Sequence, residues 1–197
     1  CGNCEQVCPV GLRPAQVGAA LREELAERGH APASVESLRA TMRAHGNPYA
    51  RPAAERGAWA TELAFNVQDA TVLYAPGCAC ACTAPGEAAA VVMLMAAAGE
   101  RVAFRGDADR CCGAPLREAG FVDDAVYAEQ RLAQDVAAGC VVTSGLECWP
   151  AWHRALGADT PVLSFSAWLL AALEDGRLRI AARPSLRVHA FDACASR

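Results

Sequence analysis

From residue 71 onward the chain alternates short runs rich in β-branched and aromatic residues with longer stretches of helical period, which leaves few architectures open to it. Residues 71–74, 101–104, 141–144, 162–164 and 186–190 read as strands, with helices near 86–98, 122–138, 147–156 and 165–174 between them. Strands separated by helices pair in parallel through crossovers, so the pattern predicts an α/β fold with a mainly parallel sheet. In such sheets the loops leaving the carboxyl ends of the strands converge on one edge and build sites there.

The cysteines fall on those loops. Cys78 follows the first predicted strand, Cys111 and Cys112 follow the second by seven residues, and Cys148 follows the third and opens a helix. Three separate loops thus carry four thiols to one place. Two adjacent thiols cannot easily serve one tetrahedral ion, but they can engage two irons of one cluster if Gly113 frees the backbone to turn. The plain alternative for such a vicinal pair is a strained local disulfide.

A second group opens the chain: Cys1-x2-Cys4-x3-Cys8-Pro9. It is similar to the tail of the bacterial ferredoxin ligand string C-x2-C-x2-C-x3-C-P, and the absent first cysteine marks the sequence as a fragment. By that resemblance Cys1 and Cys4 share one cubane cluster and Cys8 reaches a second. Pro9 offers no N–H, and the amides just before it are expected to donate to cluster sulfurs. Zinc also favours C-x2-C, yet it wants a second pair or histidines downstream, and no further cysteine follows before Cys78. The odd count of eleven cysteines, in a chain with no visible signal peptide, suits a reducing compartment better than a disulfide framework. A cytoplasmic or cytoplasm-facing location, membrane-associated or not, is the expectation.

A length of 197 residues with 53% apolar content gives one complete domain with appendages. A net charge of −4 without a basic cluster argues against nucleic acid as a partner. The longest uncharged helical stretch, 88–99, is too short to span a bilayer, which takes about 20 apolar residues. No nucleotide, flavin or hydrolase signature is present, so any organic cofactor belongs to a partner. Residues 10–66 read as a linker of helices over 14–29, 34–45 and 53–65, with a turn at Gly46-Asn47-Pro48-Tyr49. Arg56 and Trp59 share one face of the third helix, where an aromatic packing on its neighbour is the plain reading. Cys140, at the head of an apolar strand, reads as core.

Gly77-Cys78, Cys111-Cys112-Gly113-Ala114-Pro115 and Val141-Val142-Thr143 with Cys148 resemble the cysteine-rich CCG domain of the heterodisulfide reductase type. That domain occurs, usually as a tandem pair and often behind a ferredoxin-like region, in iron–sulfur subunits of heterodisulfide reductases and of glycolate, lactate and glycerol 3-phosphate dehydrogenases. Gly46-Asn47-Pro48 with Trp59 is similar to the linker between those regions, and Val188-His189-Ala190-Phe191-Asp192-Ala193-Cys194 looks like the opening of a second CCG repeat. The resemblance implies a division into residues 1–66 (ferredoxin-like remnant and helical linker), 67–184 (first CCG domain) and 185–197 (start of the second).

It further implies 4Fe-4S clusters, with Cys78, Cys111, Cys112 and Cys148 as ligands of the CCG centre, which in heterodisulfide reductases is non-cubane. Cys194 would belong to the second repeat, with His189 and Asp192 near it. Where the family often has C-x2-C, Gly145 stands three residues before Cys148; Cys80 or Cys82, on what reads as a flexible loop, could substitute for the missing thiol. Two functions follow. The chain passes electrons between a flavoprotein dehydrogenase partner and a quinone-reducing subunit or membrane cytochrome, or it reduces a disulfide at the CCG centre. The glycine at 145 favours electron transfer.

Overall fold

The computed structural model describes residues 3–66, 68–134, 136, 138–182 and 185–189. The N-terminal part comprises α1 (Asn3–Gln6), α2 (Pro14–Glu27), α3 (Ala33–His45) and α4 (Ala53–Gly57). Pro14 starts α2, where a missing N–H costs nothing, and Gly46 ends α3 in the left-handed region at φ 67°. The helix expected over 53–65 stops at Gly57 and tightens into a 3-10 turn, Ala58–Ala60. That turn brings Trp59 against Phe65, Tyr74 and Phe104, with ring centroids 4.7 to 6.1 Å away.

Thereafter the order is β1 (Val72–Ala75), α5 (Gly77–Thr83), α6 (Pro85–Ala97), β2 (Val102–Ala103), α7 (Ala114–Ala119), α8 (Val122–Leu132), β3 (Cys140–Thr143), α9 (Cys148–Leu156), β4 (Val162–Ser164) and α10 (Phe165–Glu174). The strands form one all-parallel sheet in the order β2-β1-β3-β4. The fold is therefore α/β with a parallel sheet, as the alternation predicts. Because β1 sends its crossover to one neighbour while β3 lies on its other side, a crevice opens at the carboxyl ends of β1 and β3. The second expected strand shrinks to two residues, and the helix expected to reach 138 stops at Leu132. Residues 185–189 form no strand, so the fifth strand expected over 186–190 is absent among the described residues.

Side chains of the central strands alternate between two cores. Leu73, Ala75, Val141 and Val162 join Cys111, Cys112, Cys148 and Trp152 on one face. Val72, Tyr74 and Val142 join Val91, Val92, Met95 and Trp168 on the other. Each large apolar side chain fully buried this way contributes about 1.5–3 kcal/mol. All of β1 is buried, as a strand covered by helices on both faces requires.

The N-terminal helices are docked on this domain rather than serving as a mere linker. Arg22 Nε donates to the Glu118 carbonyl at 2.6 Å, and Arg39 and Arg43 both reach the Asp124 carboxylate, at 2.6 and 2.8 Å. Arg39 also lies 4.3 Å from the Phe121 ring centroid. Among the described residues no single helix is long and apolar enough to cross a membrane; α5 and α6 together have the composition but bend by 113°.

Candidate metal centre

Two close approaches shape the crevice. A Cβ on Gly77, at φ +77°, would stand 3.2 Å from Gly145 Cα and 3.3 Å from Cys148 Sγ. Absence of side chains at 77 and 145 thus lets the ends of β1 and β3 close on each other, carrying Cys78 at the start of α5 toward Cys148 at the start of α9. From β2, a 3-10 turn at Gly106–Ala108 delivers Cys111 and Cys112. Gly113 then turns the chain at φ +81° into α7, and a Cβ there would lie 2.8 Å from Ala128 Cβ and 3.1 Å from the Ala125 carbonyl. Only glycine fits that position.

The four thiols predicted as ligands come together as a row. Cys78 hydrogen-bonds with Cys111, Cys111 with Cys112, and Cys112 with Cys148. Cys111, Cys112 and Cys148 are buried and Cys78 is half-buried. The bond to Cys112, aided by burial, pushes the Cys111 thiol up to about 12. The bond to Cys111 and burial hold Cys78 well above the ordinary thiol range, against the pull of Arg56. Cys112 is also raised: its bond to Cys111 favours the thiolate, but the bond to Cys148 and burial outweigh it. Left to themselves Cys78, Cys111 and Cys112 are neutral thiols, so any metal they hold must displace their protons.

Among the described residues, no three His, Cys, Asp or Glu side chains converge on a point suited to one metal ion. A row of soft sulfur donors, without histidine or carboxylate, matches instead the donor set of an iron–sulfur cluster, which takes each thiolate on a different iron. The residues present fit such a group.

Sequence reasoning missed what frames the row. Asn47 is wholly buried; its Nδ2 donates to the His45 and Arg51 carbonyls at 3.0 and 2.7 Å, and its Oδ1 accepts from the Tyr49 and Arg51 amides. The loop so fixed offers the Gly46 carbonyl to the Cys111 amide at 3.0 Å. It also sets Tyr49 beside the thiols: its phenol is raised by burial first and then by Cys78 and Cys82. Arg56, 2% exposed, does not stack on an aromatic neighbour. Its Nε and Nη2 meet Asp109 Oδ2 at 2.8 and 2.7 Å. Burial opposes the Arg56 charge, but Asp109 and Cys78 more than restore it. Burial likewise pushes the Asp109 carboxyl up while Arg56, Arg105 and Arg110 pull it down; with the guanidinium on one oxygen at two contacts, the ionised pair is the form the geometry supports. The turn signal at 46–49 was visible in the sequence, but nothing local marks a partnership 53 residues apart.

On the far side, Glu129 accepts from Arg117 of α7 at 2.8 Å and from Arg154 of α9 at 2.7 Å, tying together the two helices that follow the cysteines. A cavity of about 480 Å³ opens beside Cys111, lined in part by Arg43, Arg110 and Arg131.

Other predicted residues lie apart. Cys4 is exposed on α1, which packs on α2, and Cys8 is half-buried in the turn between them. The Leu12 amide donates to Cys8 Sγ at 3.2 Å. Cys80 and Cys82 sit on helix α5, not on a flexible loop. Cys140 heads β3 but is only half-buried. His189 is exposed, whereas Cys1, Asp192 and Cys194 lie outside the described residues.

No family model and no solved structure matches the chain. It is 27% identical over 172 residues, 82% of its length, to one of the subunits of the dihydromethanophenazine:CoB–CoM heterodisulfide reductase of Methanosarcina barkeri. With the counterpart of that polypeptide in Methanosarcina mazei it shares 26% over 176 residues. The chain spans 42% of the length of either relative. It is thus related to heterodisulfide reductase subunits.

Proposed function

We propose, from this kinship and from the row of four thiols, that the chain is an iron–sulfur electron-transfer part of a heterodisulfide reductase-related oxidoreductase. It passes electrons between a dehydrogenase partner and a quinone, cytochrome or thiol/disulfide acceptor. The observation that carries the reading is the gathering of Cys78, Cys111, Cys112 and Cys148, from three loops, in one row, three of them buried, at the switch point of the sheet. Those four residues would hold the cluster of the CCG centre, and Cys1, Cys4 and Cys8 would serve the ferredoxin-type clusters. A bound cluster supplies one-electron transfer.

The chain's own residues do the rest. Burial of three of the four thiols excludes water, which favours retention of bound iron and sets the potential. The Glu129 clamp holds α7 and α9, and with them Cys112 and Cys148, in register. Gly145 leaves no thiol at the family's usual additional position. A second reading, disulfide reduction at the same centre, draws on the cavity beside Cys111, through which a small thiol or disulfide would approach. Partners named by the kinship are the other subunits of such a complex.

The test is iron and acid-labile sulfide content with electron paramagnetic resonance of the whole polypeptide, purified anaerobically, beside Cys111→Ser. Reduced cluster signals that ignore added thiol and oxidant, together with loss of one centre in the variant, are expected. A new signal induced by substrate thiol would move the function to disulfide reduction. Wild-type iron content and spectrum in Cys111→Ser would overturn the assignment.

A further inference from the structure

α5 carries a second thiol on the face that bears Cys78. Cys82 stands four residues on, one helical turn away, and residues at that spacing lie one above the other. A single guanidinium serves both: Arg56 hydrogen-bonds with the Cys78 thiol, and its Nη1 lies 3.9 Å from Cys82 Sγ. With its other edge fixed on Asp109, Arg56 has no freedom to leave, so its two sulfur contacts define where both thiols must sit.

The competing sources of a further sulfur are closed. Cys80 projects from another side of α5, packs against the second core, and has its sulfur 3.8 Å from a Glu87 carboxylate oxygen. A carboxylate there repels a thiolate. Position 145 has no room: a Cβ would stand 2.8 Å from Cys148 Sγ and 3.6 Å from Gly77 Cα.

We propose that Cys82 is a fifth thiol ligand of the centre, set beside Cys78 by the helical repeat and held there by the buried Arg56–Asp109 pair, while Cys80 takes no part. This rests on the reading that the row holds a cluster. Cys82 is half-buried where Cys111, Cys112 and Cys148 are buried, so it forms the solvent-facing rim of the site. Arg56 acts through the sulfurs as a positioning residue.

The experiment compares the whole polypeptide as wild type, Cys82→Ser, Cys80→Ser, Cys111→Ser and Arg56→Gln, each purified anaerobically and checked for native circular dichroism. Iron per chain, the paramagnetic resonance spectrum, and the rate at which excess chelator strips iron are read together. Cys80→Ser is expected to match wild type. Arg56→Gln is expected to hasten stripping by about 10- to 100-fold, the scale on which loss of a supporting partner weakens metal binding, and Cys82→Ser to change the spectrum and hasten stripping by at least as much. Wild-type spectrum and stripping rate in Cys82→Ser, with iron lost in Cys111→Ser, would overturn the proposal and leave the cluster standing. Unchanged iron in Cys111→Ser would sink the cluster reading itself, and this inference with it. If serine at 82 unfolds the chain, Arg56→Lys, which keeps the charge but loses the fork, decides: a wild-type stripping rate overturns the proposal.

Discussion

Replacing Asp109 by alanine is expected to be among the most destabilising single changes in the chain. The Arg56 and Asp109 side chains are 2% and 7% exposed, so the pair stands out of water. Without Asp109 the guanidinium keeps only the Cys78 thiol and two long contacts, 3.9 Å to Cys82 Sγ and 3.5 Å to the Arg110 carbonyl, none of which compensates a buried charge. Breaking such a pair costs about 3–5 kcal/mol. For a chain of this size each kcal/mol lowers the melting temperature by roughly 2–4 °C, which gives a drop of about 6–20 °C. The double variant Arg56→Met/Asp109→Leu removes both charges at similar volume and is expected to recover most of the loss. Urea denaturation followed by circular dichroism, at matched iron content, measures both. A cost below about 1 kcal/mol for Asp109→Ala, the range of exposed ion pairs, would refute the reasoning, because it would mean the pair is hydrated.

Further changes probe the frame of the site. Gly113→Ala forces a side chain to φ +81° and into Ala128, so beyond the roughly 1–2 kcal/mol of left-handed strain it displaces the Cys112 backbone; lower stability and lower iron per chain should appear together. Arg154 and Arg117 hold the Glu129 carboxyl below its ordinary 4.5, outweighing burial. The native state therefore binds fewer protons than the unfolded chain in that window, so the stabilisation is complete above pH 4.5 and fades as pH falls through the lower native value. Glu129→Gln removes that part of the acid dependence, which urea titrations across the acidic range will show as a flatter slope.

Much of the frame was readable because it is periodic. The runs read at 71–74, 141–144 and 162–164 are apolar and bounded by turn residues, and each lies within one residue of an observed strand. Cysteine placement after each run was enough to gather Cys78, Cys111, Cys112 and Cys148 at one edge. What escaped was written in small or distant residues. Gly77-Cys-Ala-Cys-Ala-Cys has no apolar stripe of helical period, so α5 looked like loop; as a helix it packs on α4 and α6. Arg56 reads as a packing neighbour of Trp59 until folding brings Asp109 to it. The run at 186–189 has strand composition but no strand, since β-propensity needs a neighbouring edge to act on.

The hydrogen bond from the Cys111 amide to the Gly46 carbonyl carries a consequence for how the chain is made. Residues 42–56 leave the ribosome well before the thiols they frame, yet Arg56 has no counter-charge until Asp109 has arrived. That segment must wait, solvated, through the synthesis of two strands. Its closure is a long-range event in sequence, and loops of that span close late and slowly. The order of synthesis is thus the reverse of the order of assembly: the earlier-translated segment is the one that seals, and until it does the sulfur row stands open to solvent.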